Sequence, residues 1–243
     1  MDIIKANWPA PANISAVTTL RTGGFSQQYY AHNNMAYHVG DHEKDVLKNR
    51  ERLKRTLYLP AEPTWLNQVH SNICIVAETE EERTADAAIS RSIEYPLAVM
   101  TADCLPITLC NLQGSEIAVI HAGWRGLAHH IIENTLSKMT AKPHDIMAWV
   151  GPSICGNCFE VGEEVHQIYK ENYPDSTQAF QGKQLKWLAD LPLIAEMILN
   201  ANGVKAVYKA QRCTFELKNE YYSYRREQQT GRMATLIWFN HAI

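Results

Sequence analysis

Three segments of this sequence, NQVHS, TADCLP and HAGWRG, each place a metal-capable side chain after a short apolar run: His70, Cys104 and His121. Neutral imidazole and thiolate are ligands that zinc and copper favour, and three protein ligands leave a fourth position open for substrate, the pattern of a catalytic site. The three lie far apart in the chain, unlike the close CxxC and HxxxH pairs of zinc fingers, so only the tertiary fold can assemble them. Their neighbours point the same way. Asn67 and Gln68 precede His70, Asp103 precedes Cys104, and Gly123, Trp124, Arg125 and Gly126 follow His121. Polar groups at buried strand ends need partners, and strand ends are where α/β sheets build their sites. The same residues support a second reading, a cysteine hydrolase or amidase acting on a cell-wall precursor, with Cys104 as nucleophile and His121 as its base. A third makes the metal structural and the protein a non-enzymatic binding module. That requires a closed four-ligand site, and no fourth His or Cys stands in a comparable segment.

Other cysteines and histidines read as ordinary. Cys155 and Cys158 form a CxxC after a strand, with no thioredoxin-like helix and no second CxxC to complete a zinc knuckle, and are read as without function. Cys74 and Cys110 lie in apolar runs and read as small hydrophobes. His129 and His130, adjacent in an expected helix, would point about 100° apart and belong to a solvated surface.

The elements that must position these groups follow from the hydrophobic pattern. With 243 residues and 46% hydrophobic content, the chain suits one α/β domain spanning 1–243. ISAVTTL reads as a first strand followed by the RTGG turn, and Asp41 as the cap of a helix running to about Tyr58, with Val46, Leu47, Arg50, Leu53 and Leu57 as its stripe and Pro60 after its end. TWLNQVH, NICIVAE, LAVMTADC, PITLCN and EIAVIHAG read as consecutive strands, and HAGWRGL opens one helix to about Met139. DIMAWVGP is a strand, VGEEVHQIYKENY and LADLPLIAEMILNANG are helices, the second stopped by Gly203, and VKAVYKA and GRMATLIWF are closing strands. Consecutive strands exclude simple βαβ alternation, so a mixed-sheet α/β fold is expected, with helices covering stacked sheets.

Composition bounds the partners. A formal net charge of -3 supplies no basic field for a phosphate backbone, so nucleic acid is not expected. No run of 18 apolar residues and no signal-like N-terminus occur, and the scattered cysteines read as reduced thiols, so a cytoplasmic protein without a membrane span is expected, as a monomer.

NQVHS, LAVMTADCLPI, IAVIHAGWRGL, GPSICGNCFEVGEEV and YYSYRREQQTGRMATLI, with RTGG at 21–24, resemble the successive signature blocks of the YfiH family. That family is also called the multicopper polyphenol oxidase or laccase-domain family, and the purine nucleoside phosphorylase family with a His, Cys, His metal site. The resemblance covers the chain from position 21 to 236. It implies a four-layer α/β/β/α sandwich and a zinc or copper ion on His70, Cys104 and His121. It also implies phosphorolysis of adenosine, inosine and S-methyl-5'-thioadenosine, deamination of adenosine, and weak oxidation of phenols. Phosphorolysis needs an anion pocket for phosphate beside the nucleoside, and arginine forks suit it. Arg125, at a Gly-flanked strand-to-helix turn, is the first candidate, with Arg21, Arg225 and Arg226 in the other blocks and Asn67 and Gln68 beside His70. Deamination also needs a proton shuttle, for which Asp103 and Glu160 are candidates. Laccase chemistry is secondary, because multicopper sites need HxH pairs and the chain has none.

Overall fold

A computed structural model describes residues 1–240. The chain opens with strands β1 (Ile3–Lys5) and β2 (Ile14–Thr19), then crosses a long loop to helix α1 (Glu43–Thr56). Strands β3 (Thr64–Trp65), β4 (Cys74–Val76), β5 (Ala87–Ser90), β6 (Leu97–Thr101), β7 (Leu105–Asn111) and β8 (Ile117–Ala122) follow with no helix between them. Helices α2 (Trp124–Ala128) and α3 (Ile131–Lys138), strands β9 (Ile146–Val150) and β10 (Glu160–Val161), and helix α4 (Glu163–Asn172) come next. Strands β11 (Phe180–Lys183) and β12 (Lys186–Ala189), helix α5 (Leu191–Ala201), β13 (Ala206–Lys209) and β14 (Met233–Phe239) complete it.

The strands form two large mixed sheets. One has five strands in the order β1-β2-β14-β6-β3 and the other six in the order β13-β9-β7-β8-β5-β4. Strand alternation sorts their side chains. In β8, Ala118, Ile120 and Ala122 join a core with helices α2 to α5, while Ile117 and Val119 join a second core with Ile14, Leu97, Val99 and Ile237 of the other sheet. A third core lies on the far face of the five-stranded sheet, where Val17, Ala98, Leu236 and Trp238 meet Leu53 of α1. Both sheets are therefore covered on both faces, and β7, LPITLCN, is buried along its whole length. Each fully buried Leu or Ile in these layers contributes about 1.5–3 kcal/mol.

Several elements depart from the sequence pattern. Helix α1 starts two residues after Asp41, whose carboxylate accepts from the His42 amide and from Asn34 Nδ2, and it ends at Thr56. Of its expected stripe Val46 and Leu53 are buried, whereas Leu47 is exposed. The expected helix from 121 to 139 is broken. Asn172 Nδ2 donates to the carbonyl of Ala128 and Asn72 Nδ2 to that of His129, taking the acceptors a continuous helix would use, and His130 turns left-handed with φ of 68°. His129 and His130 therefore sit at a junction, with His130 Nδ1 2.7 Å from Tyr173 Oη. TWLNQVH pairs as a strand only at Thr64–Trp65, and the rest peels away as a loop that carries His70. A small third sheet, β10-β12-β11, has no counterpart in the expected elements. Asp190 caps α5, its Oδ1 accepting from the Leu193 amide at 3.0 Å.

Candidate metal centre

The site forms where β6 of one sheet hands over to β7 of the other. Cys104 lies on that turn, just after Asp103, which adopts φ of 93°. His121 is the penultimate residue of β8, and alternation puts it on the face of Ile117 and Val119, toward the neighbouring sheet. His70 reaches in from the loop after β3 with φ of 60°. Positive φ at two non-glycine residues at one cluster is backbone strain of the kind that functional sites retain.

The ligand atoms of His70, Cys104 and His121 all lie within 4.8 Å of one another. His70 Nε2 is 3.8 Å from Cys104 Sγ, and the two imidazoles meet edge to face with centroids 4.8 Å apart. His121 is buried and His70 is exposed, so the cluster opens on the His70 side. Two observations show that the donor set fits a thiophilic cation. First, His121 Nδ1 is 2.7 Å from Asp86 Oδ1, which fixes the ring and presents Nε2 as the ligand atom. Second, a Cβ on Gly123 would stand 3.0 Å from His70 Cδ2 and 3.2 Å from Cys104 Sγ, so glycine keeps the cradle open. Gly123→Ala is expected to leave the fold intact by circular dichroism and to weaken metal binding in a chelator competition, because one ligand must move by a few tenths of an ångström.

Asp86 holds the centre together. Fully buried, it accepts from the amides of His70 (3.1 Å), Ser71 (2.6 Å) and Val69 (3.3 Å) and from Ser71 Oγ (2.7 Å), besides its contact with His121. Burial works against its charge, yet hydrogen bonds from His121 and Ser71 hold its pKa below the ordinary carboxylate value. Burial likewise opposes the Cys104 thiolate, but the His121 charge and hydrogen bonds from His121 and His70 bring it down to about 6. His121 is raised to about 9 against its own burial by Cys104 and Asp86.

A second carboxylate performs the same service for Cys104. Asp103 is buried, and it accepts from Thr214 Oγ1 (2.7 Å), Ser223 Oγ (2.9 Å) and the Arg225 amide (2.7 Å). It is a positioning residue with its oxygens engaged, not a free proton shuttle. Glu160 is not one either, for its carboxylate is paired with Lys183 and Lys186 at 3.2 and 2.7 Å.

The other expected site residues divide. Gln68 reads the backbone of β6, donating to the Met100 carbonyl and accepting from its amide, and so anchors the His70 loop. Asn67 bonds Thr84 Oγ1 across an isolated bridge on the same loop. Arg226 is engaged by the carbonyls of Thr214, Phe215 and Tyr221, and Arg21 by those of Ala31 and Lys218, so both guanidinium groups brace loops. Arg225 donates to the Glu160 carbonyl and lies over Phe159. Arg125 is exposed over the Trp124 ring, on a helix of five residues, too short to build the dipole expected to draw an anion there.

Two residues escaped the sequence reading. Asp86 had a signal: Thr-Ala-Asp occurs at 84–86 and again at 101–103, and both aspartates became buried hubs. Arg232 lies in a quoted block but was not singled out. Its Nη1 donates to the carbonyls of Thr230 and Gly231 at 2.9 and 3.0 Å and its guanidinium lies over the Tyr224 ring, while burial lowers its pKa against the charges of Cys104, Tyr224 and Asp103. Burial and the charges of Arg232 and Arg50 lower the pKa of His38, which favours its neutral form.

Residues 15–240 match the family described as Multi-copper polyphenol oxidoreductase laccase. Purine nucleoside phosphorylase YfiH of Shigella flexneri is 40% identical over 97% of this chain and 98% of its own length. Purine nucleoside phosphorylase of Haemophilus influenzae is 40% identical over 98% of this chain and 100% of its own. Among solved structures, Neisseria meningitidis protein NMB0706 superposes with a TM-score of 0.94 at 40% identity, covering 99% of this chain and 100% of that one. YlmD from Geobacillus stearothermophilus gives 0.90 at 29% identity, covering 99% and 97%. With residues 15–240 matching its model and full-length relatives at 40% identity, the chain belongs to the multi-copper polyphenol oxidoreductase laccase family, some of whose members carry the name YfiH.

Proposed function

We propose that this protein is a metal-dependent purine nucleoside phosphorylase acting on adenosine, inosine and S-methyl-5'-thioadenosine. The observation that carries the reading is the convergence of His70, Cys104 and His121 on one point. The names of the full-length relatives support the substrate class. His70, Cys104 and His121 would hold zinc or copper. Bound there, such an ion supplies Lewis acidity to groups presented at the open position. The protein's own residues do the rest. Asp86 keeps His121 in one tautomer and sets the His70 loop, while Asp103 fixes the turn that presents Cys104. Arg232, with His38 beside it, takes the phosphate dianion and aims an oxygen at C1′ of the ribose. As the new C1′–O bond forms, the C1′–N9 bond breaks and its electron pair leaves with the purine, giving ribose 1-phosphate. Arg232 holds phosphate against the ribose while positive charge develops there.

The test is inosine cleavage by purified protein with and without phosphate. Cleavage is expected only with phosphate, with ribose 1-phosphate as product; free ribose would mean hydrolysis and overturn the reading. Arg232→Gln is expected to raise KM for phosphate about 10–100-fold, the worth of a charge-assisted hydrogen bond, with a smaller change in KM for inosine. Deamination of adenosine is proposed as a side activity, with ammonia release in the absence of phosphate as its readout. Oxidation of phenols is a weaker one, tied to copper in the site.

One observation favours a second reading. Cys104, His121 and Asp86 stand in the order of a nucleophile, base and orienting carboxylate, which suits a cysteine hydrolase or amidase. That reading requires activity in metal-free protein, and loss of all turnover on chelation, restored by zinc, excludes it.

A further inference from the structure

We infer that Cys155, Cys158 and Cys213 form a second metal site, separate from the first, that takes a thiophilic cation of the zinc(II) type through three thiolates. The CxxC is only part of it. Cys155 to Cys158 close a turn in which the amides of Cys158 and Phe159 donate to the Cys155 carbonyl at 3.0 and 3.1 Å. Cys213 arrives from more than fifty positions away through a parallel bridge with Ser153, where the Thr214 amide donates to the Ser153 carbonyl at 3.0 Å. The three sulfurs then lie within 4.8 Å of one another. Three thiolates on one tetrahedral zinc, with Zn–S of about 2.3 Å, sit roughly 3.8 Å apart, so small side-chain rotations complete the geometry.

Three features go beyond proximity. The backbone amide of Cys155 donates to Cys213 Sγ at 3.4 Å, the kind of N–H to sulfur bond that supports thiolate ligands. Glu216 Oε1 lies 3.6 Å from Cys158 Sγ and supplies a carboxylate as the fourth donor. Cys155, Cys213 and Glu216 also line an open cleft of about 560 Å³, together with Lys209 and Arg212, so a cation has a way in and the cluster has compensating positive charge nearby. Thiols serving only as packing are fully buried among apolar neighbours, whereas Cys155 and Cys158 are only partly buried. A disulfide would use two sulfurs and leave the third, with its amide bond, unaccounted for. The thiolate set selects zinc or copper(I) over oxygen-loving cations.

The place in the fold gives the site a role. It joins the Ser153–Cys158 loop to the turn after Cys213, and both segments grip the residue before Cys104: the Ile154 amide donates to the Asp103 carbonyl at 3.0 Å, and Thr214 Oγ1 to the Asp103 carboxylate at 2.7 Å. A cation here clips together the two loops that hold Asp103.

The experiment is zinc stoichiometry on reduced full-length protein, with alkylation as an independent readout. Wild type is expected to bind two zinc ions per chain, the His70→Ala/Cys104→Ala/His121→Ala variant one, and the Cys158→Ser/Cys213→Ser variant one. Cobalt(II) in the first of these variants is expected to show strong thiolate charge-transfer bands in the near ultraviolet. In wild type, added zinc is expected to slow iodoacetamide labelling of Cys155 and Cys158 at least about tenfold, and chelator to restore it. This arm holds even if a cysteine variant misfolds. No zinc in the His70→Ala/Cys104→Ala/His121→Ala variant, labelling indifferent to zinc, or a Cys155–Cys158 disulfide in protein kept reduced would each overturn the proposal. None of these outcomes depends on whether the protein cleaves nucleosides.

Discussion

Cys104→Ala is expected to purify folded, to bind one metal equivalent fewer than wild type, and to show no phosphorolysis. Removing the thiolate leaves two imidazoles, one of them exposed, on a site that otherwise has three protein ligands. The loss must exceed the roughly 10–100-fold cost of deleting a residue that merely supports a ligand. His70→Ala should match it, since it too leaves two ligands, whereas a nucleophile mechanism would tolerate loss of His70 far better than loss of Cys104. Cys104→Asp separates the readings further, because a carboxylate can ligate zinc but cannot replace a thiolate as nucleophile. Retained metal and a trace of phosphorolysis are expected of it. Wild-type metal content in a folded, inactive Cys104→Ala protein, measured by elemental analysis, would overturn the assignment of His70, Cys104 and His121 to one coordination site.

Asp86 variants are expected to separate stability from ligand orientation. Asp86→Ala strips a buried cluster of amide, hydroxyl and imidazole donors of their acceptor, and removing one partner of such an arrangement costs about 3–5 kcal/mol. For a chain of this size the melting temperature should fall on the order of 10 °C. Asp86→Asn keeps the shape, but both carboxylate oxygens now accept, so the amide NH2 must face donors on one side or the other. It is expected to fold with metal affinity reduced about 10–100-fold, because His121 loses the acceptor that fixes its tautomer. Excess zinc should restore activity to Asp86→Asn and not to Cys104→Ala. Failure of zinc to rescue a folded Asp86→Asn would show that Asp86 does more than orient His121.

What the sequence made legible were features written in a short window. The alternation in IAVIHAG places His121 on one face of β8, and the run LPITLCN reads as a buried strand, because period and composition are local properties. The three ligand candidates stood out for the same reason: each is a polar group where an apolar strand should end. Asp86 escaped because its importance lies in which donors converge on it, and those come from a loop fifteen or more positions upstream and a strand on the other side. Arg21 and Arg226 looked like anion binders, but an arginine fork bonds a carbonyl as readily as a phosphate, and loop geometry decides which it meets. The break at His129–His130 is enforced by Asn72 and Asn172, remote residues that no helical pattern reports. The strands of the small sheet β10-β12-β11 are only two to four residues long, too short to carry a periodic signal.

The order of strands bears on how the molecule is made. β14, after every other strand in the chain, lies between β2 and β6, so the β1-β2 pair and the β3-β6 pair cannot join into one sheet until residues 233–239 exist. The turn bearing Cys104 follows directly from β6, and its Asp103 is held by Thr214, Ser223 and Arg225. Biosynthesis must therefore carry the nascent polypeptide nearly to completion before either sheet partner or ligand turn can settle, and such distant pairings close slowly. A product cut short by a premature stop codon before Met233 should have no residual turnover, since it lacks the strand that brings the two halves of the message together.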